Sequence, residues 1–322
     1  MMNTRPSLRI PRMLFMPLIV LASALGAGAV EPFRLAGDDW SVPAIPTDAA
    51  RSPSVTGIIE IRGAGNLTFD PWEIEPLRDD LFAPGHFSVF DVLVDLSARG
   101  EITLDYHYDH ELQTHVIDNL NGLEGWWYDA HYEGGTFDRT ALRMDTFPVK
   151  DGMSITLFLE DPERLSAIEH HFRDEVTRLA ENEGVLIIPE IILRSAAQEL
   201  AFYDIEVISH DVRPDVFQPG ALTALDVLLS LGEMGHLDEL GLEFRDAQPD
   251  IEVVDGYFVV AISADGFLPE ETGACVLTQQ ISGSIIAEHL KAHTHTTSHI
   301  HLTGDLEALV SPESIEWLWV CL

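Results

Sequence analysis

Lysine is almost missing from this chain: only Lys150 and Lys291 carry an ammonium, and 18 Lys+Arg stand against 54 Asp+Glu, a formal net charge of −36. Neutralising phosphates takes a basic face, which this composition cannot supply, so a nucleic-acid partner is excluded. An anionic lipid surface is disfavoured for the same reason. Cysteine is equally scarce. Cys275 and Cys321 are the only two, and they form neither a Cys-x-x-Cys dithiol nor a haem-attachment motif. Gly-x-Ser-x-Gly, His-Glu-x-x-His and a phosphate-cradling glycine loop are all absent, and Gly63 with Gly65 is too little for a dinucleotide site. The chain therefore reads as a binder rather than an enzyme.

One apolar run is present, at the start. Arg5, Arg9 and Arg12 precede "MLFMPLIVLASALGAGAV", which ends in small residues. That is the layout of a secretory signal, with Ala27-Gly28-Ala29 fitting the cleavage rule and an uncleaved anchor as the alternative. Residues 1–29 are the expected signal peptide, and the mature protein is expected to be periplasmic or secreted, with no membrane contact beyond that segment. Loss of the three signal arginines takes the net charge from −36 to −39. Such acidity keeps a protein soluble in a salty medium, or attracts cations; no spaced calcium-loop motif accompanies it. In an exported chain the even pair Cys275 and Cys321 is expected to form a disulfide, with metal ligation as the alternative.

An internal repeat organises the rest. "LFAPGHFSVFDVLVDLSARGEI" at 81–102 aligns without a gap with "VFQPGALTALDVLLSLGEMGHL" at 216–237. Phe82/Phe217, Pro84/Pro219, Gly85/Gly220, Asp91/Asp226, Leu93/Leu228, Leu96/Leu231 and Gly100/Gly235 are among the identities. Each copy predicts a Pro-Gly turn, then a helix from Ser88 or Thr223, with Gly100 or Gly235 at its C-cap. Strands are expected at 56–63 and 203–209 before the helices, at 115–120 and 252–257 after them, and at 153–160 and 314–321 to close each copy. Between the copies, Asp161 and Pro162 open a helix that Gly184 can end, with an apolar stripe of Leu165, Ile168, Phe172, Val176 and Leu179. His170 and His171 are expected on its surface.

The fold class implied is α+β: two tandem β-grasp-like domains, each a mixed sheet with one helix, at 30–160 and 200–322, joined by a helical linker over 161–199. "SVFDVL", "NGLEGWWYDAHYEGG" and "VKDGMSITLF" in the first copy resemble the transcobalamin-like C-terminal domain family, a β-grasp module of exported bacterial proteins. The resemblance covers roughly 55–160 and departs from the family at Glu133-Gly134, where Asn-Gly is usual. It implies a non-enzymatic binding or adhesion module. In the second copy Gly273-Ala274-Cys275-Val276 stands in for Gly-Trp-Trp-Tyr, and Ser311-Pro312-Glu313 for the Lys-Asp-Gly turn.

Two stretches carry candidate chemistry. "EHLKAHTHTTSHIHLTGD" (288–305) holds His289, His293, His295, His299 and His301. In an extended chain the last four share one face, and His-x-His pairs converge well on one ion. Zn²⁺ or Cu²⁺ suits imidazole best. A weaker cluster gathers His107, His110 and His115, with Asp109 and His131. The aromatic run Trp126, Trp127 and Tyr128 either packs the sheet or offers a ring face to a flat cofactor such as a corrinoid or tetrapyrrole. The expected function is binding of a transition metal through the His-rich stretch. The alternatives are a structural or adhesion protein contacting envelope proteins, and small-ligand binding at the aromatic strand.

Overall fold

Ser88 and Thr223 begin their helices in the same way. The Ser88 and Thr223 amides donate to Asp91 Oδ2 and Asp226 Oδ2, each at 2.7 Å, so the third helical residue caps the orphan donor. At the other end, Gly100 and Gly235 take positive φ, 75° and 77°. Their amides, with those of Glu101 and His236, return to carbonyls of the last turn, which is a Schellman ending that glycine adopts without strain.

The computed structural model describes residues 33–42, 45, 56–132, 142–245, 255–269, 275–282 and 303–321. Its strands in chain order begin with β1 (Phe33–Leu35), β2 (Gly57–Ile61), β3 (Gly65–Phe69), β4 (Leu104–Asp109), β5 (Thr114–Leu120), β6 (Trp126–Tyr132) and β7 (Met153–Leu159). They continue with β8 (Ile187–Arg194), β9 (Glu199–Glu206), β10 (Glu239–Arg245), β11 (Gly256–Ser263), β12 (Cys275–Ser282) and β13 (Ser314–Cys321). The α-helices are α1 (Val89–Ala98), α2 (Pro162–Glu181) and α3 (Ala224–Glu233). The fold is mixed α+β, mostly sheet. No helix among the described residues is long and apolar enough to cross a membrane.

A four-stranded sheet has the order β3-β2-β7-β6, and β4 with β5 forms a separate two-stranded ladder. The larger sheet has the order β1-β10-β11-β12-β13-β8-β9. In both, the opening strand of the unit lies parallel to its closing strand: Ile59 pairs with Ile155, and Ile191 with Ile315. Those four side chains are buried, and α1 or α3 contributes to the same core as each pair. Fully burying one such aliphatic side chain is worth about 1.5–3 kcal/mol.

Several expectations shift. The stretch 203–209 is not the opening strand of its copy but belongs to the second, β9. The opening strand is β8, within the stretch assigned to the linker; it pairs parallel to β13 on one side and antiparallel to the edge strand β9 on the other. Helix α2 starts as expected, with Asp161 Oδ1 accepting from the Glu163 amide at 3.0 Å, and at its end both Glu183 and Gly184 take positive φ, 58° and 86°. His170 is on the surface; His171 is buried, with Nε2 3.4 Å from Glu175 Oε1.

The copies meet at their repeated Pro-Gly turns. Phe82 bridges Phe217 antiparallel, with Ala83 N donating to Val216 O at 2.9 Å and Gln218 N donating to Leu81 O at 2.8 Å.

Candidate functional site

The histidines that carry the metal expectation, His289, His293, His295, His299 and His301, lie outside the described residues, as does the whole stretch 283–302. The flanks of that stretch are well placed. On one side β12 pairs with β13 along its full length, from Cys275↔Cys321 to Ser282↔Ser314. On the other, Thr303 and Asp305 are buried, and the Leu225 amide at the start of α3 donates to Gly304 O at 2.9 Å. The first copy has the same device: the Phe90 amide donates to Met144 O. There, only residues 133–141 separate β6 from the corresponding turn.

Sequence reasoning missed a buried charge cluster next to that flank. Arg213 has no exposed side-chain surface and forks onto Asp215, with Nε–Oδ1 2.9 Å and Nη2–Oδ2 2.8 Å. Its Nη1 donates to Asp305 Oδ2 at 2.9 Å and its Nη2 to Asp255 Oδ2 at 2.8 Å. Lys150, from the first copy, reaches the same Asp255 Oδ2 at 3.1 Å. Burial opposes the charge on Arg213, but the hydrogen bond it donates to Asp215 and the carboxylates around it hold its pKa above the usual range. Lys150 is pushed down by burial and then by Arg213. Burial raises the Asp305 carboxyl despite Arg213. His86, beside this cluster, is pushed down to about 4 by burial and then by the Lys150 charge. Residues from both copies are thus wired together around one guanidinium.

The first copy carries the counterpart in opened form. Arg78 forks onto Asp80 at 2.8 and 2.9 Å, and its Nη1 lies 3.6 Å from the buried Asp145. Asp145 also holds His115, accepting from its amide at 2.9 Å and meeting Nδ1 at 2.9 Å. A signal for both sites was present. Arg78-x-Asp80 and Arg213-x-Asp215 extend the repeat upstream at the same spacing.

A third group joins α2 to both copies. Arg143 pairs with Glu175, donates Nε to Leu112 O at 2.9 Å and stacks over Phe172 at 4.2 Å. Glu175 is held down at about 2: burial opposes, and the Arg143 charge and the His171 hydrogen bond prevail. Arg178 donates to Ser311 O of the second copy. A small cleft beside these groups is lined by His171, Glu175, Ile281 and Leu309 and has about 20 Å³ of interior space, enough for one water.

His107 meets Asp118 Oδ2 at 2.9 Å, while His115 turns to Asp145. Among the described residues no three His, Cys, Asp or Glu side chains are gathered as a metal-binding group. Trp126, Trp127 and Tyr128 are buried, at 5%, 8% and 0% exposure. The sheet is covered on both faces, with Trp127 6.2 Å from Phe172 of α2 and Tyr128 5.6 Å from Phe147. A flat ligand would have no open ring face there. Register also moves the counterpart of Gly-Trp-Trp-Tyr. Trp126 pairs with Leu159 and Leu277 with Trp319, so Val276–Gln279 occupy that place rather than Gly273–Val276, because the repeat-equivalent residues Ser88 and Thr223 bridge Pro148 and Ala308, an offset that matches Leu159 to Trp319.

No family model, curated protein or solved structure matches the chain.

Proposed function

We propose that this is an exported, non-catalytic binding protein of two tandem β-grasp-like units, and that the second unit takes a transition metal, Zn²⁺ or Cu²⁺, on its His-rich stretch. The β-grasp reading is supported by the strand order: opening and closing strands are parallel neighbours, with a hairpin partner on one side (β3 or β9) and the preceding strand (β6 or β12) on the other. The observation that carries the metal reading is positional. The five histidines stand between a fully laddered strand and a buried turn, at the point where the first unit has only residues 133–141. Fixed ends lower the entropic cost of closing a loop, which favours two His-x-His pairs meeting on one ion.

The test is elemental analysis of the mature protein after loading with Zn²⁺ or Cu²⁺ and desalting. It is compared with a variant carrying His289→Ala, His293→Ala, His295→Ala, His299→Ala and His301→Ala. The reading requires about one ion per chain or more in the parent and loss in the variant. Equal metal in both, or far less than one ion in the parent, overturns it.

A second reading, an interaction protein contacting envelope proteins, is favoured by Trp72, which is 71% exposed on the short 3₁₀ turn Pro71–Glu73. Exposed tryptophans are common anchors of protein interfaces.

A further inference from the structure

The strand register brings the two cysteines of the chain opposite each other. Along β12 and β13 the pairing runs unbroken, and Cys275 falls directly opposite Cys321. Directly opposed residues of an antiparallel pair have Cα atoms about 4.5–5.5 Å apart, inside the span of about 4.4–6.8 Å that a disulfide bridges. Residues directly opposed across an antiparallel ladder send their Cα–Cβ bonds to the same side of the sheet. A slip of one residue would undo this, and the core resists such a slip: Leu277 and Trp319, and Gln279 and Trp317, are opposed pairs buried on one face.

We propose that Cys275 and Cys321 form a cross-strand disulfide that closes a covalent loop around the His-bearing stretch 283–302. The bond forms by thiol–disulfide exchange. The two thiols lose two protons and two electrons to one protein disulfide of the exported oxidising compartment, which leaves as a dithiol. The inference rests on the exported address but not on metal binding. Its consequence is mechanical. At one end of the pair the ladder from Ser282 to Ser314 leads into the His-bearing stretch. At the other the disulfide ties the start of β12 to the end of β13.

Trypsin provides the test, because Lys291 is the only lysine or arginine between the cysteines and Arg245 is the nearest before them. Mature protein from an oxidising compartment is denatured, alkylated without reductant and digested. The disulfide predicts that peptides 246–291 and 292–322 emerge as one linked species and separate only when a reductant is added. In Cys321→Ser, peptide 246–291 should then carry one alkyl group. Both peptides alkylated and unlinked in never-reduced protein overturns the proposal. So does alkylation that becomes possible only after chelation, since the thiols would then be metal ligands. Reduction of intact protein should also lower its melting temperature by several degrees, on the order of 5–10 °C.

Discussion

Phe82 and Phe217 hold the same position in the two copies and pair with each other, their ring centroids 5.7 Å apart and their backbones joined in an antiparallel bridge. The flanking hydrogen bonds, Ala83 N to Val216 O and Gln218 N to Leu81 O, exchange under the repeat relation that carries Phe82 to Phe217. The two units therefore meet through an internal pseudo-two-fold contact. An isologous dimer interface has the same form, with one patch used twice.

That contact is a stability determinant. Both rings are buried, at 1% and 3% exposure, so Phe82→Ala and Phe217→Ala should each cost about 3–5 kcal/mol. The double variant should cost less than the sum by about 0.5–1.5 kcal/mol, since the rings share one contact. Urea unfolding of the four proteins measures this; strict additivity would show that the rings act independently.

Arg213 and Arg78 give a comparison inside one molecule. Arg213→Met leaves the fully buried Asp305 without its cation and should cost about 3–5 kcal/mol. Arg78→Met leaves Asp80, which is 65% exposed and open to water, and an Asp145 still held by Thr114 and His115. Its cost should be nearer 1 kcal/mol. Unfolding midpoints that rank the two in the opposite order would refute this account of the cluster.

The contrast shows what the sequence makes legible. Helices α1, α2 and α3 announce themselves locally, through Ser88, Asp161 and Thr223 at their starts and glycines near their ends. The closing strands β7 and β13 are strong apolar runs and are equally plain. Strand β8 is misread because Pro189 and Glu190 break the apolar residues of Ile187–Leu193 into two short pieces, a pattern that shows its nature only beside β13. The Arg213 cluster gathers residues 150, 213, 215, 255 and 305 from far apart in the chain, so no local window contains it. His171 is a related case: Glu175, one helical turn on, is an ordinary i, i+4 neighbour in the sequence, and only Arg143 from another segment draws both inward.

Acid should destabilise the protein in two steps. His86 has an ordinary pKa of 6.5 that falls to about 4 in the folded state. Between those values the unfolded chain binds more protons than the folded one, so stability falls as pH drops through that window, by up to about 3 kcal/mol. The groups acting on His86 are Lys150, Asp215, Arg213 and Asp255. Glu175 has its carboxyl lowered from 4.5 to about 2. Its contribution is therefore intact above pH 4.5 and is lost as pH falls toward 2. Melting temperatures measured from pH 7 to 3 should show His86→Leu flattening the first step alone. A profile unchanged by that substitution would remove His86 as its cause.

The aromatic strand should behave as core and not as a ligand platform. Trp127 stands opposite Phe158 in the register of β6 and β7, and its ring is 6.2 Å from that of Phe172 of α2, so the ring ties the helix to the sheet. Trp127→Ala opens a cavity there that the helix cannot close without dragging Arg143 and Glu175, which are anchored to Leu112 O and to each other. The expected loss is about 3–5 kcal/mol. Trp127→Phe keeps most of the contact and should lose about half as much. A flat-ligand platform would behave otherwise: alanine would be tolerated, and cobalamin or haem added to the parent protein would raise its melting temperature. Differential scanning calorimetry of the parent, Trp127→Phe and Trp127→Ala, each with and without cobalamin, separates the two. A graded loss across the substitutions with no response to cobalamin is the outcome expected of a core residue.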